Sequence, residues 1–159
     1  MPMPPIHILM MRNALNKNRL VFGMLLADVS QEQAQRLTDG PDGWSILTIL
    51  CHVRDYQNIY LERIETILKH DEAIFKVYDR HELIEQNDYA GQNLHAVFDE
   101  FSQTRDTLIN RIGELDDAQW ERTGSFEDGP TLSTLAVAIQ ALSHDDDHIE
   151  QIMRVLRQA

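Results

Sequence analysis

The sequence predicts an all-α protein, an up-down four-helix bundle with one long crossover connection. Three observations carry this. Four long segments place apolar residues at three- and four-residue spacing, the period of a helix with one buried face. No segment alternates apolar and polar residues as a half-buried strand would. Only 7 Gly and 5 Pro occur in 159 residues, too little punctuation for many short strands.

The first long helix is expected from Ile8 to Ala27, with Leu15, Phe22, Leu25 and Leu26 on its stripe. Ser30 followed by Gln33 fits a capping box and predicts a short helix to Leu37. Thr38 to Gly43 is a dense turn signal. Ser45 caps or enters a second long helix that runs unbroken to Lys69, with Ile46, Ile49, Val53, Tyr56, Tyr60, Ile64 and Ile67 on one face. His70 to Gly91 is polar and long for a bundle loop, so it is expected to be the crossover, with a short helix inside. Leu94 to Ile112 forms the third stripe, with Gly113 placed to end it. Leu115 to Trp120 reads as one helical turn, Gly124 to Pro130 as a loop, and Pro130-Thr131 as the start of a last helix reaching about Leu156. No convincing strand and no internal repeat are found. The expectation is one domain over residues 1–159.

Composition narrows the function classes. Lys+Arg is 14 against Asp+Glu 26, a formal net charge of -12. Nucleic acid is disfavoured as a partner, because the densest basic cluster is only Arg12, Lys17 and Arg19. An anionic membrane surface is disfavoured for the same reason. The apolar stretch Ile6–Met11 includes His7 and has no basic region before it, so it is not read as a signal peptide. No run approaches a membrane span. The single Cys51 excludes an internal disulfide and suits a reducing, cytoplasmic setting.

Seven His residues in an acidic chain prompt a search for ligand spacing. His144 and His148 are four apart on the last helix, about 40° apart on its wheel, at the edge of the apolar face. Two imidazoles one turn apart can reach one metal ion, but a pair of partly buried His bonded to carboxylates would look the same. His52 lies at the edge of the second stripe and is the best third candidate. His7, His70, His81 and His95 are weaker. Asp147 and Asp145 flank His144 and are candidate bases or orienting groups; Asp55, one turn after His52, is a third. Asp146 points to the far face. Gln151 is one turn beyond His148. Tyr56 and Tyr60 either line a pocket or pack in the core, and Cys51 is read as structural.

The chain resembles the DinB-like superfamily of metal-binding four-helix bundles. The resemblance rests on Gly43-Trp44-Ser45-Ile46 leading to Leu50-Cys51-His52-Val53-Arg54-Asp55, on the Trp120–Gly129 loop, and on Thr131-Leu132 leading to His144-Asp145-Asp146-Asp147-His148-Ile149-Glu150-Gln151. It covers nearly the whole chain. It implies a three-His site of His52, His144 and His148 for a divalent transition metal, zinc or nickel first and iron or manganese next. Three neutral imidazoles do not choose among these, and they leave a position open for water or substrate. The resemblance further implies an enzyme acting on a small molecule. The first expectation is a thiol-dependent S-transferase that joins a low-molecular-weight thiol to an electrophile. A metal-dependent hydrolase is the alternative, and a non-catalytic metal- or ligand-binding module of a stress response the third. Arg54 and Arg63 are nearest in sequence for binding the thiol, Arg63 being better placed on the His52 wheel. A homodimer is expected from the resemblance and the long exposed helices.

Overall fold

Local capping chemistry sets where the helices begin. The computed structural model describes residues 2–159; Met1, the first residue of the expected domain, lies outside the described residues. Pro5 opens α1 (Pro5–Leu26) at a position where its missing N–H costs nothing. Ser30 and Gln33 close a reciprocal capping box on α2 (Gln31–Arg36), as their spacing predicts. Ser45 caps α3 (Ile46–Lys69) by accepting from the Thr48 N–H. The crossover holds β1 (Ala73–Ile74), α4 (Arg80–Gln86) and a 3-10 turn at Tyr89–Gly91. Asn93 caps α5 (Leu94–Gly113), and Asp116 caps the short α6 (Asp117–Glu121). Two further strands, β2 (Thr123–Ser125) and β3 (Thr131–Ser133), precede α7 (Thr134–Gln158), which Ser133 caps.

The four long helices form the bundle. α1 and α3 each pack against both α5 and α7, so α1 lies diagonal to α3. Gln57 bonds the Phe101 carbonyl and Glu65 receives Arg111, so α3 and α5 run parallel. Arg19 pairs with Asp106 while Gly23 faces Phe98, so α1 and α5 are antiparallel. The crossover therefore carries the chain back along the length of the bundle, and the helix directions read up, down, down, up. Among the described residues no helix is long and apolar enough to cross a membrane.

The strands differ from the sequence expectation. β2 pairs parallel with β1 and antiparallel with β3, making a three-stranded sheet at one end of the bundle. Strands of two and three residues are too short for period-two alternation to register. The segment read as a loop and helix start is thus a hairpin, and α7 begins at Thr134 rather than Pro130. Gly124 is required there: a Cβ would stand 2.5 Å from the Phe75 ring.

The core divides into two apolar clusters. One gathers Phe22, Leu50, Val97, Phe101 and Ile152; the other gathers Leu15, Ile64, Leu108, Ile112 and Val137. Between them lies a buried polar layer of Asn18, Gln57, Arg105 and Asp145. Arg105 grips Asp145 with two bonds of 2.7 and 2.9 Å, donates to the Leu15 carbonyl and bonds Gln57. His144, next to Asp145 on α7, stands at this level.

Candidate metal centre

Two helices bring three imidazoles together. His52 comes from the second turn of α3, and His144 and His148 from adjacent turns of α7. His144 Nε2 lies 2.9 Å from His52 Nε2 and 3.2 Å from His148 Nε2. The candidate donor atoms of all three lie within 4.8 Å of one another. The helical spacing in the sequence places the α7 pair on one face; only the antiparallel packing of α3 on α7 adds His52.

The surroundings fix protonation. Gln151 Nε2 donates to Asp39 at 3.0 Å, which turns Gln151 Oε1 toward His148 Nδ1 at 2.8 Å. An amide oxygen only accepts, so His148 carries its proton on Nδ1 and presents a bare lone pair at Nε2. Asp39 is itself clamped by Arg154 through bonds of 3.0 and 2.8 Å. Burial, then the neighbouring His148 and Arg80, push the His52 pKa down to about 3. Burial, then His148 and His52, push His144 down to about 2. Burial also lowers His148, against the opposing bond from Gln151. All three are neutral imidazoles near pH 7, the form that ligates a cation.

This donor set fits a divalent transition metal. Ligand distances of about 2.0–2.1 Å require imidazole nitrogens roughly 3.0–3.4 Å apart, close to the two separations observed. Three lone pairs turned toward one another repel unless a proton or a cation sits among them. The His52 Nδ1 is buried without a partner among the described residues, so no acceptor at that atom fixes the His52 tautomer.

A cavity of about 500 Å³ opens onto the three imidazoles. Trp44 packs on His52 with ring centroids 4.8 Å apart and stacks toward His148. Tyr56 stacks on His144 at 5.1 Å and lines the cavity, whereas Tyr60 is buried in the core beneath it. The crossover helix contributes Arg80 and His81 to the rim, and the turn before α3 contributes Asp42.

Several expected neighbours are elsewhere. Asp145 does not orient a ligand: one residue of helix rotation turns it into the buried pair with Arg105. Asp55 does not reach His52; it accepts from Arg54, Asn87 and the Tyr89 hydroxyl, tying the crossover to α3. Asp147 is exposed and bonds none of the three His. Asp146 accepts from Asn18 on the outer side. Neither Arg expected near a bound thiol lines the cavity. Arg54 is buried and paired with Asp55 and the exposed Glu100, and Arg63 lies over the rings of Tyr60, Phe75 and Phe126. Arg80 is the cation that does, and no periodicity could have found it, because it sits on a seven-residue helix inside a polar connection. Cys51 is buried, and burial pushes its thiol up to about 12, consistent with a structural role. His81 reaches the rim but not the cluster; His7, His70 and His95 are outside the cluster.

A family model described as the DinB superfamily matches residues 14–152. Among solved structures, the fold is similar to YfiT from Bacillus subtilis, described as "a probable metal-dependent hydrolase with an unusual four-helix bundle topology". The TM-score is 0.88 at 14% identity, covering 95% of this chain and 86% of that one. No curated protein matches the chain.

Proposed function

The chain belongs to the DinB superfamily, and from that premise we propose that it is a metal-dependent enzyme acting on a small molecule, hydrolytic in its leading reading. One observation carries this: three neutral imidazole Nε2 atoms converge on the wall of an open cavity. A divalent ion held there by three uncharged ligands would keep its full charge and lower the pKa of a water or thiol that reached it. His52, His144 and His148 are its ligands, zinc or nickel the first candidates. Gln151 holds His148 in the ligating tautomer. Trp44 and Tyr56 shield one side of the cluster from bulk water. The structural similarity to a probable metal-dependent hydrolase supports the hydrolytic reading.

Thiol transfer is the second reading, and one feature favours it. No carboxylate bonds any of the three His among the described residues, so no general base is built against them. A thiol needs none, since coordination alone favours the thiolate. Elemental analysis of the purified protein comes first; less than one half equivalent of transition metal, with no uptake on reconstitution, refutes both readings. A panel of esters, amides and lactones then tests hydrolysis, and a low-molecular-weight thiol with a reactive electrophile tests transfer. A homodimer is proposed as the assembly, checked by light scattering.

A further inference from the structure

We propose that Arg80 is the substrate-anion contact of this cavity, and that the molecule bound at the three-His site carries a carboxylate next to an apolar body. This rests on the cavity being the active site, as proposed above, and names its substrate class.

The chain has a large excess of acid, and its arginines are mostly consumed by it. Arg19, Arg54, Arg105, Arg111, Arg122 and Arg154 all hold ion pairs. Arg63 is spread over aromatic rings. Arg12, Arg36, Arg80 and Arg157 have no carboxylate within ion-pair distance among the described residues, and of these Arg80 lines the cavity that the three His face. Its guanidinium stands 6.0 Å from the centre of the Trp44 ring, the ring that packs on His52. A cation resting beside an aromatic face is partly desolvated and oriented, with its donors still free for a planar anion.

The position of Arg80 is also built rather than incidental. Asp79 caps α4 by accepting from the His81 and Glu82 N–H groups. Asp55 ties the chain beyond α4 to α3 through Asn87 and Tyr89 at 2.9 and 2.6 Å. Of the two acids that line the cavity, Asp39 is neutralised by Arg154, and Asp42 lies beyond ion-pair distance of Arg80. A single guanidinium suits a monoanion, and the Trp44 ring between it and His52, with the Tyr56 ring lining the same cavity, suits an apolar body. The reacting bond would then lie at the imidazole end and the carboxylate at the rim.

The test compares 3-phenylpropionate with 3-phenylpropan-1-ol, by calorimetry on the full-length protein, metal-free and cobalt-loaded. The acid should bind about 5–10-fold more tightly than the alcohol, the scale of one partly exposed charge-assisted contact. Arg80→Gln should remove that preference, leave alcohol binding and cobalt content unchanged, and fold normally because the side chain is exposed. Arg80→Lys should restore part of the preference, since it keeps the charge and loses the fork. Equal or absent binding of the two probes, or a preference that survives Arg80→Gln, overturns the proposal. The metal-free arm separates the two readings. A preference without cobalt uptake refutes the metal centre alone, and cobalt uptake without a preference refutes the Arg80 contact alone.

Discussion

Asp145→Ala should destabilise the protein severely while sparing metal binding. Asp145 and Arg105 are 2% and 1% exposed, so neither charge reaches solvent. Truncating Asp145 removes both bidentate bonds, at 2.7 and 2.9 Å, and strands a buried guanidinium. Arg105 keeps the Leu15 carbonyl, Gln57 and the face of the Phe101 ring, none of which carries a charge. Breaking a buried pair from one side costs about 3–5 kcal/mol. For a domain of this size each kcal/mol lowers Tm by about 2–4 °C, so the melt should fall by roughly 6–20 °C. Urea unfolding followed by circular dichroism gives the free energy, and metal content measured at low temperature gives the site. The double variant Asp145→Leu/Arg105→Met should recover most of the loss, because an apolar pair leaves no buried charge. Two results would refute the reasoning. A loss under about 1 kcal/mol would mean that Arg105 finds another partner or water. Loss of metal from folded Asp145→Ala would mean that this carboxylate acts on His144 after all.

Four further outcomes follow from the same geometry. His148→Ala should lose the metal yet stay folded, since the helix keeps Val137, Ala141, Ile152 and Val155 packed and Ala is the best helix former; full metal retention would remove the enzyme reading. Asp146→Ala, which gives up only the bond from Asn18, should keep the metal and lose no more than about 1 kcal/mol; a larger loss in a melt would contradict its outer-face placement. Gln151→Leu should weaken metal affinity about 10–100-fold by freeing the His148 tautomer, read by chelator competition; unchanged affinity would count against the Asp39–Gln151–His148 chain. In the metal-free protein, His52 and His144 have pKa values pushed down to about 3 and about 2, from about 6.5 when unfolded. Between those values the unfolded chain binds protons that the folded chain refuses. Their contribution is therefore present above pH 6.5 and lost as pH falls below it, by about 1.4 kcal/mol per pH unit for each His. Urea unfolding at pH 7, 6 and 5 should show this slope, and the slope should shrink in His144→Ala; an equal slope in both would refute the assignment.

Much of the fold was legible because it is written in local chemistry. The helix stripes, the Ser45 cap and the Ser30–Gln33 box act over one to two turns, so their spacing in the chain is their spacing in space. The same logic puts His144 and His148 on one face. The strands escaped because a two- or three-residue strand has no period, and the partner that joins β1 to the β2–β3 hairpin lies some fifty residues away in the chain. The role of Asp145 escaped for a related reason. A wheel gives its direction on α7 but cannot say that Arg105 of α5 waits there.

The sequence by itself thus determined the long helices, the position of the crossover and the shared face of His144 and His148, since amphipathic spacing and capping are properties of contiguous residues; His52 entered the candidate triad through the family resemblance. The tertiary structure decided what those residues meet. It joins His52 to the α7 pair, hands His148 to Gln151 and Asp39, and withdraws Asp55 and Asp145 into structural pairs. It also brings Arg80 and Trp44 to the mouth of the cavity. Apart from His148–Gln151 and Arg54–Asp55, these contacts link helices or loops far apart in the chain. Their partners are chosen by which faces the buried apolar stripes force together, and no spacing along one segment encodes that choice.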